Sequence, residues 1–120
     1  LKVLNKKLMP DSNLYKGSLT TIVLKLLSGN DKMYGYEITQ KVKELTKGKL
    51  KITEGALYPA LHKLEAEGLL DVEVLKVNNR LRKYYKLTEK GTKETASKLN
   101  ELEEFMETLR GILNLNPKFG

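Results

Sequence analysis

The amino-acid sequence predicts a mainly α domain carrying one small β-hairpin. Three observations predict it. Apolar residues recur at helical spacing in four stretches, the period drops to two between the third and the fourth, and an Asn-Asn pair interrupts the alternating stretch. At 120 residues and 40% hydrophobic content the chain can bury one modest core and not two, so residues 1–120 read as a single domain.

The first helix is expected over Gly17–Leu27, where Leu19, Ile22, Val23, Leu26 and Leu27 fall at helical spacing and Gly29-Asn30-Asp31 follows as a stop signal. Tyr34-Gly35 reads as a turn. The second helix, Tyr36–Leu45, sets Ile38, Val42 and Leu45 on one face and Lys41, Lys43 and Glu44 on the other, and ends near Gly48. Lys49–Ile52 is a short connector. Thr53 is an N-cap candidate, because its hydroxyl can accept a hydrogen bond from a free amide of the next turn. The third helix should run from there to Glu67 and bury Leu57, Ala60, Leu61 and Leu64. Pro59 stands inside it, where the missing N–H is expected to kink the helix or split off its first turn.

Gly68 closes that helix. Leu69–Val77 then alternates, with Leu70, Val72 and Val74 on one side, and Leu81–Leu87 returns as a second strand rich in tyrosine and long basic side chains. Asn78-Asn79 supplies the turn, since asparagine tolerates left-handed backbone angles. Thr88 caps a long fourth helix that ends near Leu113, with Gly91 as a weak point near its start. Leu99, Leu102, Met106, Leu109 and Leu113 follow spacings of three and four, the pattern of a coiled-coil seam, and Phe105 and Ile112 broaden it. One helix cannot bury such a seam alone. Pro117 belongs to a frayed end.

The chain carries 22 Lys and Arg against 15 Asp and Glu, a net charge of +7 that suits a polyanionic partner. Position is more informative than the total. Between Lys76 and Lys93, Lys76, Arg80, Arg82, Lys83, Lys86, Lys90 and Lys93 face the single acid Glu89. The stretch Glu94–Arg110 reverses the balance. Without cysteine the chain has no disulfide, thiolate metal site or thiol nucleophile. A lone histidine, scattered surface acids and no glycine-rich nucleotide loop leave no catalytic constellation, so neither enzyme activity, a cofactor nor a metal is expected. No apolar run approaches the roughly 18–20 residues of a membrane span, and Leu1–Pro10 lacks a signal-like core, so a soluble cytoplasmic protein is expected.

Three helices, a hairpin and a long helix follow one another in the order of a winged helix-turn-helix, in which the third helix enters the DNA major groove and the hairpin, or wing, touches the adjacent backbone. The blocks Tyr34-Gly35-Tyr36-Glu37-Ile38, Gly55-Ala56-Leu57-Tyr58-Pro59-Ala60-Leu61-His62-Lys63-Leu64-Glu65, Gly68-Leu69-Leu70 and Arg82-Lys83-Tyr84-Tyr85-Lys86-Leu87-Thr88-Glu89-Lys90-Gly91 carry a resemblance. They are similar to the signature blocks of PadR-type repressors, in the branch with one long C-terminal helix. The resemblance implies a transcriptional repressor, a winged helix core over residues 17–87, a dimerisation helix over 88–113, and a small hydrophobic or aromatic effector at the dimer interface. It also makes Pro59 an expected residue. Two departures stand out: Thr53-Glu54-Gly55-Ala56 where the family often has Ser-Pro-Gly-Thr, and a wing tip of Val77-Asn78-Asn79 that is not rich in glycine.

The DNA-contact candidates are Tyr36, Thr53, Glu54, Tyr58, His62, Lys63, Arg80, Arg82 and Lys83. Tyr58 reads as a phosphate donor or as the cover of a small apolar patch, Tyr36 as a donor or a core-edge residue, and His62 as a groove contact or an inert surface group. Glu54 would be repelled by phosphate, so base or water contact suits it better. Lys63 is a solvated helix charge that reaches phosphate. Arg82 and Tyr84 share one strand face and Lys83 and Tyr85 the other, so one tyrosine should pack inward and not every cation can face DNA. Dimer contacts are expected from Leu19, Ile22, Leu99, Leu102, Phe105, Met106, Leu109 and Leu113. The expected partners are therefore a pseudo-palindromic duplex and a second copy of the chain. The rival reading is a winged helix used as a protein-interaction module.

Overall fold

The computed structural model describes residues 13–114. Pro117 and the Leu1–Pro10 stretch lie outside them. Within these residues the order is α1 (Asn13–Ser28), β1 (Met33–Tyr34), α2 (Gly35–Leu45), α3 (Glu54–Ala66), β2 (Leu70–Val77), β3 (Arg80–Leu87) and α4 (Glu89–Leu113). The three strands form one antiparallel sheet in the order β1-β3-β2.

The expected hairpin is therefore part of a three-stranded sheet, and Tyr34-Gly35 is not a turn. Met33 pairs with Tyr85 and Tyr34 with Tyr84, while Gly35 is already the first residue of α2. Two residues carry no readable period, so the pattern could not announce this strand. It is held by Met33, whose side chain is buried in the core. Helix α1 begins at Asn13, earlier than the expected Gly17.

The core gathers Leu19, Val23, Leu24 and Leu27 of α1, Ile38 and Val42 of α2, and Leu57, Leu61 and Leu64 of α3 against Leu70 and Tyr85 of the sheet. Burying each large aliphatic side chain stabilises the fold by roughly 1.5–3 kcal/mol, before conformational entropy is set against it. Pro59 does not split α3, which runs unbroken from Glu54 to Ala66. The amide it lacks would have bonded the Gly55 carbonyl, and both residues are exposed, so solvent can serve that carbonyl instead. Leu57, Leu61 and Leu64, buried on both sides of the proline, hold the two halves in line.

The ends of the helices are chemically specified. Thr53 Oγ1 accepts from the Ala56 amide at 3.2 Å and Thr88 Oγ1 from the Gly91 amide at 2.9 Å, each satisfying one free N–H. Helix α3 ends in a Schellman motif: Leu69 N–H donates to the Leu64 carbonyl and Gly68 N–H to the Glu65 carbonyl, both at 2.9 Å, with Gly68 at φ 80°. Helix α2 ends the same way, with Gly48 N–H on the Lys43 carbonyl at 2.7 Å and Lys47 N–H on the Glu44 carbonyl at 3.2 Å. Here the left-handed position falls on Lys47, at φ 54°, where a side chain is strained and glycine would not be.

Gly91 has a positive role beyond the weak point read from the sequence. A Cβ there would collide with the Leu69 carbonyl, coming within 3.0 Å of its carbon, and press on Leu87. Its absence lets the first turn of α4 lie directly on the start of β2. Gly91→Ala is expected to cost about 1–3 kcal/mol through overpacking, read as a lower urea midpoint at unchanged slope.

Burial pushes the Tyr85 phenol above its ordinary value of 10.0, and Tyr58 and Glu65 add to the shift. The unfolded phenol ionises first, so this contribution to stability is full below about pH 10 and is lost as pH rises through the folded value. Tyr85→Phe removes the linkage, and its stability should fall less steeply above that pH than the wild type's in parallel alkaline denaturation series.

Candidate nucleic-acid interface

Helix α3 turns one face to the core and leaves Glu54, Gly55, Pro59, His62 and Lys63 exposed. Thr53, also exposed, spends its hydroxyl on the cap. Tyr58 is half-buried and packs against the core, with its ring laid over Gly35. A Cβ on Gly35 would stand 2.8 Å from Tyr58 Cζ, so the approach of α3 to the start of α2 requires glycine there. Tyr36, the next residue, is 54% exposed. The starts of α2 and α3 thus meet at Gly35 and Tyr58, and Tyr36 lies one residue beyond that contact.

The wing is a regular two-stranded ribbon running from Leu70↔Leu87 to Val77↔Arg80. Asn78 and Asn79 turn it with φ values of 50° and 66°, positive at both central positions as a type I′ turn requires. Opposed residues share a face, which sorts the cations. Leu70, Val72 and Tyr85 face the core, and the same face continues outward as Val74, Lys83, Lys76 and Leu81. Tyr85 is the tyrosine that packs inward.

Arg80, Arg82 and Tyr84 occupy the other face with Glu73. There Arg82 is held by its neighbours. Its guanidinium lies 4.0 Å above the Tyr34 ring, and Tyr34 meets Tyr84 edge to face with centroids 5.4 Å apart. Lys32 lies 5.6 Å over the Tyr84 ring and pairs with Glu73 at 3.1 Å. Below them the Glu37 carboxylate accepts from the Tyr34 amide at 3.0 Å, so the cluster stands on the first turn of α2. The Tyr84 hydroxyl raises the Arg82 pKa above its ordinary value, against the opposing effect of desolvation, and Tyr34 adds to the rise.

Arg80, Lys83 and Lys86 are exposed, and none joins a salt bridge among the described residues. Lys90 has a structural task, donating to the Glu67 carbonyl at 3.0 Å where α3 ends. Sequence reasoning did not find Lys32, Tyr34 or Gly35 as site residues. Their partners are distant in sequence, and only the glycine between two tyrosines marked a close approach.

Helix α4 divides its seam. Leu99 and Leu102 are half-buried, and with Ile22, Leu26, Leu45 and Leu50 they line an apolar groove of about 260 Å³ between α1, α2 and α4. Further along, Leu109 is half-buried while Phe105, Met106, Ile112 and Leu113 are exposed. Leu19 departs from the expected seam, because α1 turns it inward and its own core buries it. Among the described residues no three His, Cys, Asp or Glu gather to hold a metal ion, and no helix is long and apolar enough to cross a membrane.

A family model described as the transcriptional regulator PadR-like family matches residues 23–97. The chain is 33% identical over 84 residues to Transcriptional regulator Rv3488 of Mycobacterium tuberculosis, a match covering 70% of this chain and 76% of that one. Among solved structures, a transcriptional regulator from Clostridium thermocellum superposes with a TM-score of 0.74 at 30% identity, covering 86% of this chain and 96% of the other. A PadR-like transcription factor from Bacteroides fragilis gives a TM-score of 0.69 at 35% identity, over 82% and 93% of the two chains. The winged helix order, the tyrosine-proline block of α3 and these likenesses agree: the chain belongs to the PadR-like family of transcriptional regulators, which act by regulation and not as enzymes.

Proposed function

We propose that this regulator binds double-stranded DNA sequence-specifically as a homodimer and represses transcription by occupying its site. The observation that carries the reading is electrostatic. After α3 comes a ribbon that exposes Lys76 and Lys83 on one face and Arg80 and Lys86 on the other, and no acid occurs from Val74 to Thr88. An acid-free cationic arm next to a protruding helix suits phosphates flanking a major groove. Residues 17–87 are the DNA-binding core in this reading, and residues 88–113 the dimerisation helix.

Arg80, Lys83 and Lys63 neutralise phosphates, and Arg82 lends its charge from the Tyr34 stack. Tyr36 and Tyr58 offer hydroxyls to the backbone near the Gly35 contact. Thr53, Glu54 and His62 face the groove. They include no arginine-guanine reader, so water and DNA shape carry much of the selectivity. The dimer forms through Ile22, Leu99, Leu102 and the outer seam of Phe105, Met106, Leu109 and Leu113, and it sets two α3 helices about one helical turn apart on a pseudo-palindrome. The apolar groove beneath α4 is where a small hydrophobic or aromatic effector would enter. Such an effector releases DNA only if it binds the two dimer states unequally.

Fluorescence anisotropy with a duplex from the gene's own upstream region and a scrambled duplex, each at two salt concentrations, tests the DNA reading. The native duplex should bind at least about tenfold tighter, with affinity falling steeply as salt rises. Absence of binding to either duplex at low salt would hand the fold to the protein-interaction reading. For the dimer, Phe105→Asp with Leu109→Asp should convert a two-chain species into a monomer at micromolar concentration in sedimentation velocity. A wild-type monomer under those conditions would remove the dimer from the proposal.

A further inference from the structure

A second run of exposed cations leads into the N-terminal end of α3, whereas the wing follows its C-terminal end. The connector from α2 to α3 reads Lys47-Gly48-Lys49-Leu50-Lys51-Ile52-Thr53. It alternates strictly: Lys47, Lys49, Lys51 and Thr53 are exposed, Leu50 is half-buried, and Ile52 is buried in the core. The connector is also tied down. Thr46 Oγ1 accepts from the Leu50 amide at 3.0 Å and donates to the Val42 carbonyl at 2.8 Å, while Leu50 and Ile52 pack inward. Lys49 and Lys51 therefore leave one side of the segment and Lys47 stands on the turn just before it, consecutive Cα atoms of the three being at most about 7 Å apart.

Two further observations separate this row from ordinary surface charge. Between Lys43 and Thr53 the only acid is Glu44, and its carboxylate is engaged by Lys41 at 3.5 Å. Lys47 also occupies the left-handed position of the α2 Schellman motif, where glycine would be the unstrained choice. The chain keeps a charged side chain at a place where the backbone disfavours one.

We propose that Lys47, Lys49 and Lys51 form a phosphate-binding row that grips the DNA backbone at the N-terminal end of α3. It rests on the DNA reading above. The row runs directly into the Thr53 cap and so into the exposed first turn of α3, whereas the wing leaves from the other end of that helix. Each subunit then holds backbone on both sides of its recognition helix. Contacts of this kind fix position without reading bases.

The test is the salt dependence of binding to the native and scrambled duplexes for the full-length wild type, Lys49→Gln with Lys51→Gln, and Lys47→Gly. The double variant should reduce the slope of log affinity against log salt by about 3.6 and weaken both duplexes alike, since each phosphate contact contributes about 0.9 and each lysine occurs in both subunits of the dimer. Lys47→Gly should reduce the slope by about 1.8 while raising the thermal midpoint, because it relieves the left-handed strain as it removes the charge from both subunits. Lys98→Gln on α4 serves as the control for bulk charge and should leave the slope within about half a unit. A wild type that binds with a steep slope, beside variants of unchanged slope, overturns the row and leaves the DNA reading intact. A wild type that binds no duplex overturns both.

Discussion

Three consecutive residues, Met33-Tyr34-Gly35, hold the parts of this domain in one arrangement. Met33 fixes the third strand by placing its side chain in the core and its backbone opposite Tyr85. Tyr34 gives its amide to Glu37 at the start of α2 and its ring to the guanidinium of Arg82. Gly35 gives the space that the Tyr58 ring fills. Wing, second helix and third helix therefore meet along a few ångströms of backbone. Each contact alone is worth little against the entropy of ordering it, and their concentration on one short segment lets them order together.

The helices were legible because their apolar residues recur over several turns, and Thr53 and Thr88 announced where two of them start. The wing was legible from its alternation and its Asn-Asn turn, including the inward tyrosine. What stayed hidden has one physical character: it depends on partners that the chain brings together only after folding. A two-residue strand has no period. The stack of Arg82 on Tyr34 joins residues that nothing local relates. Gly91 looked like a flaw in a helix because the Leu69 carbonyl that requires it lies on another element. Pro59 looked like a break because local rules do not weigh the leucines buried on both sides of it. Leu19 was expected among the dimer contacts, and the packing of α1 turns it into its own core.

Charge is distributed along the molecule in a polar fashion. Cations collect on the connector before α3 and on the wing, whereas Glu94, Glu101, Glu103, Glu104 and Glu107 lie on α4. A net charge alone would draw the protein to any polyanion in any orientation. A separation of signs adds a torque, so that the acidic helix is turned away as the basic face approaches.

The start of α4 is stitched to the end of α3. Lys90 Nζ donates to the Glu67 carbonyl at 3.0 Å, Thr88 Oγ1 to the Gly68 carbonyl at 2.7 Å, and the Thr88 amide to the Leu69 carbonyl at 3.0 Å. Helix α4 then extends for 25 residues, about 37 Å at the helical rise. Geometrically this is a long arm whose first turn is bonded to Glu67, Gly68 and Leu69, the residues that close α3. Along its length α4 packs mainly on α1, and the bonds at its base are what tie it to the end of α3. A change in the angle of α4 therefore bears on α1 along its length and on the close of α3 at its base.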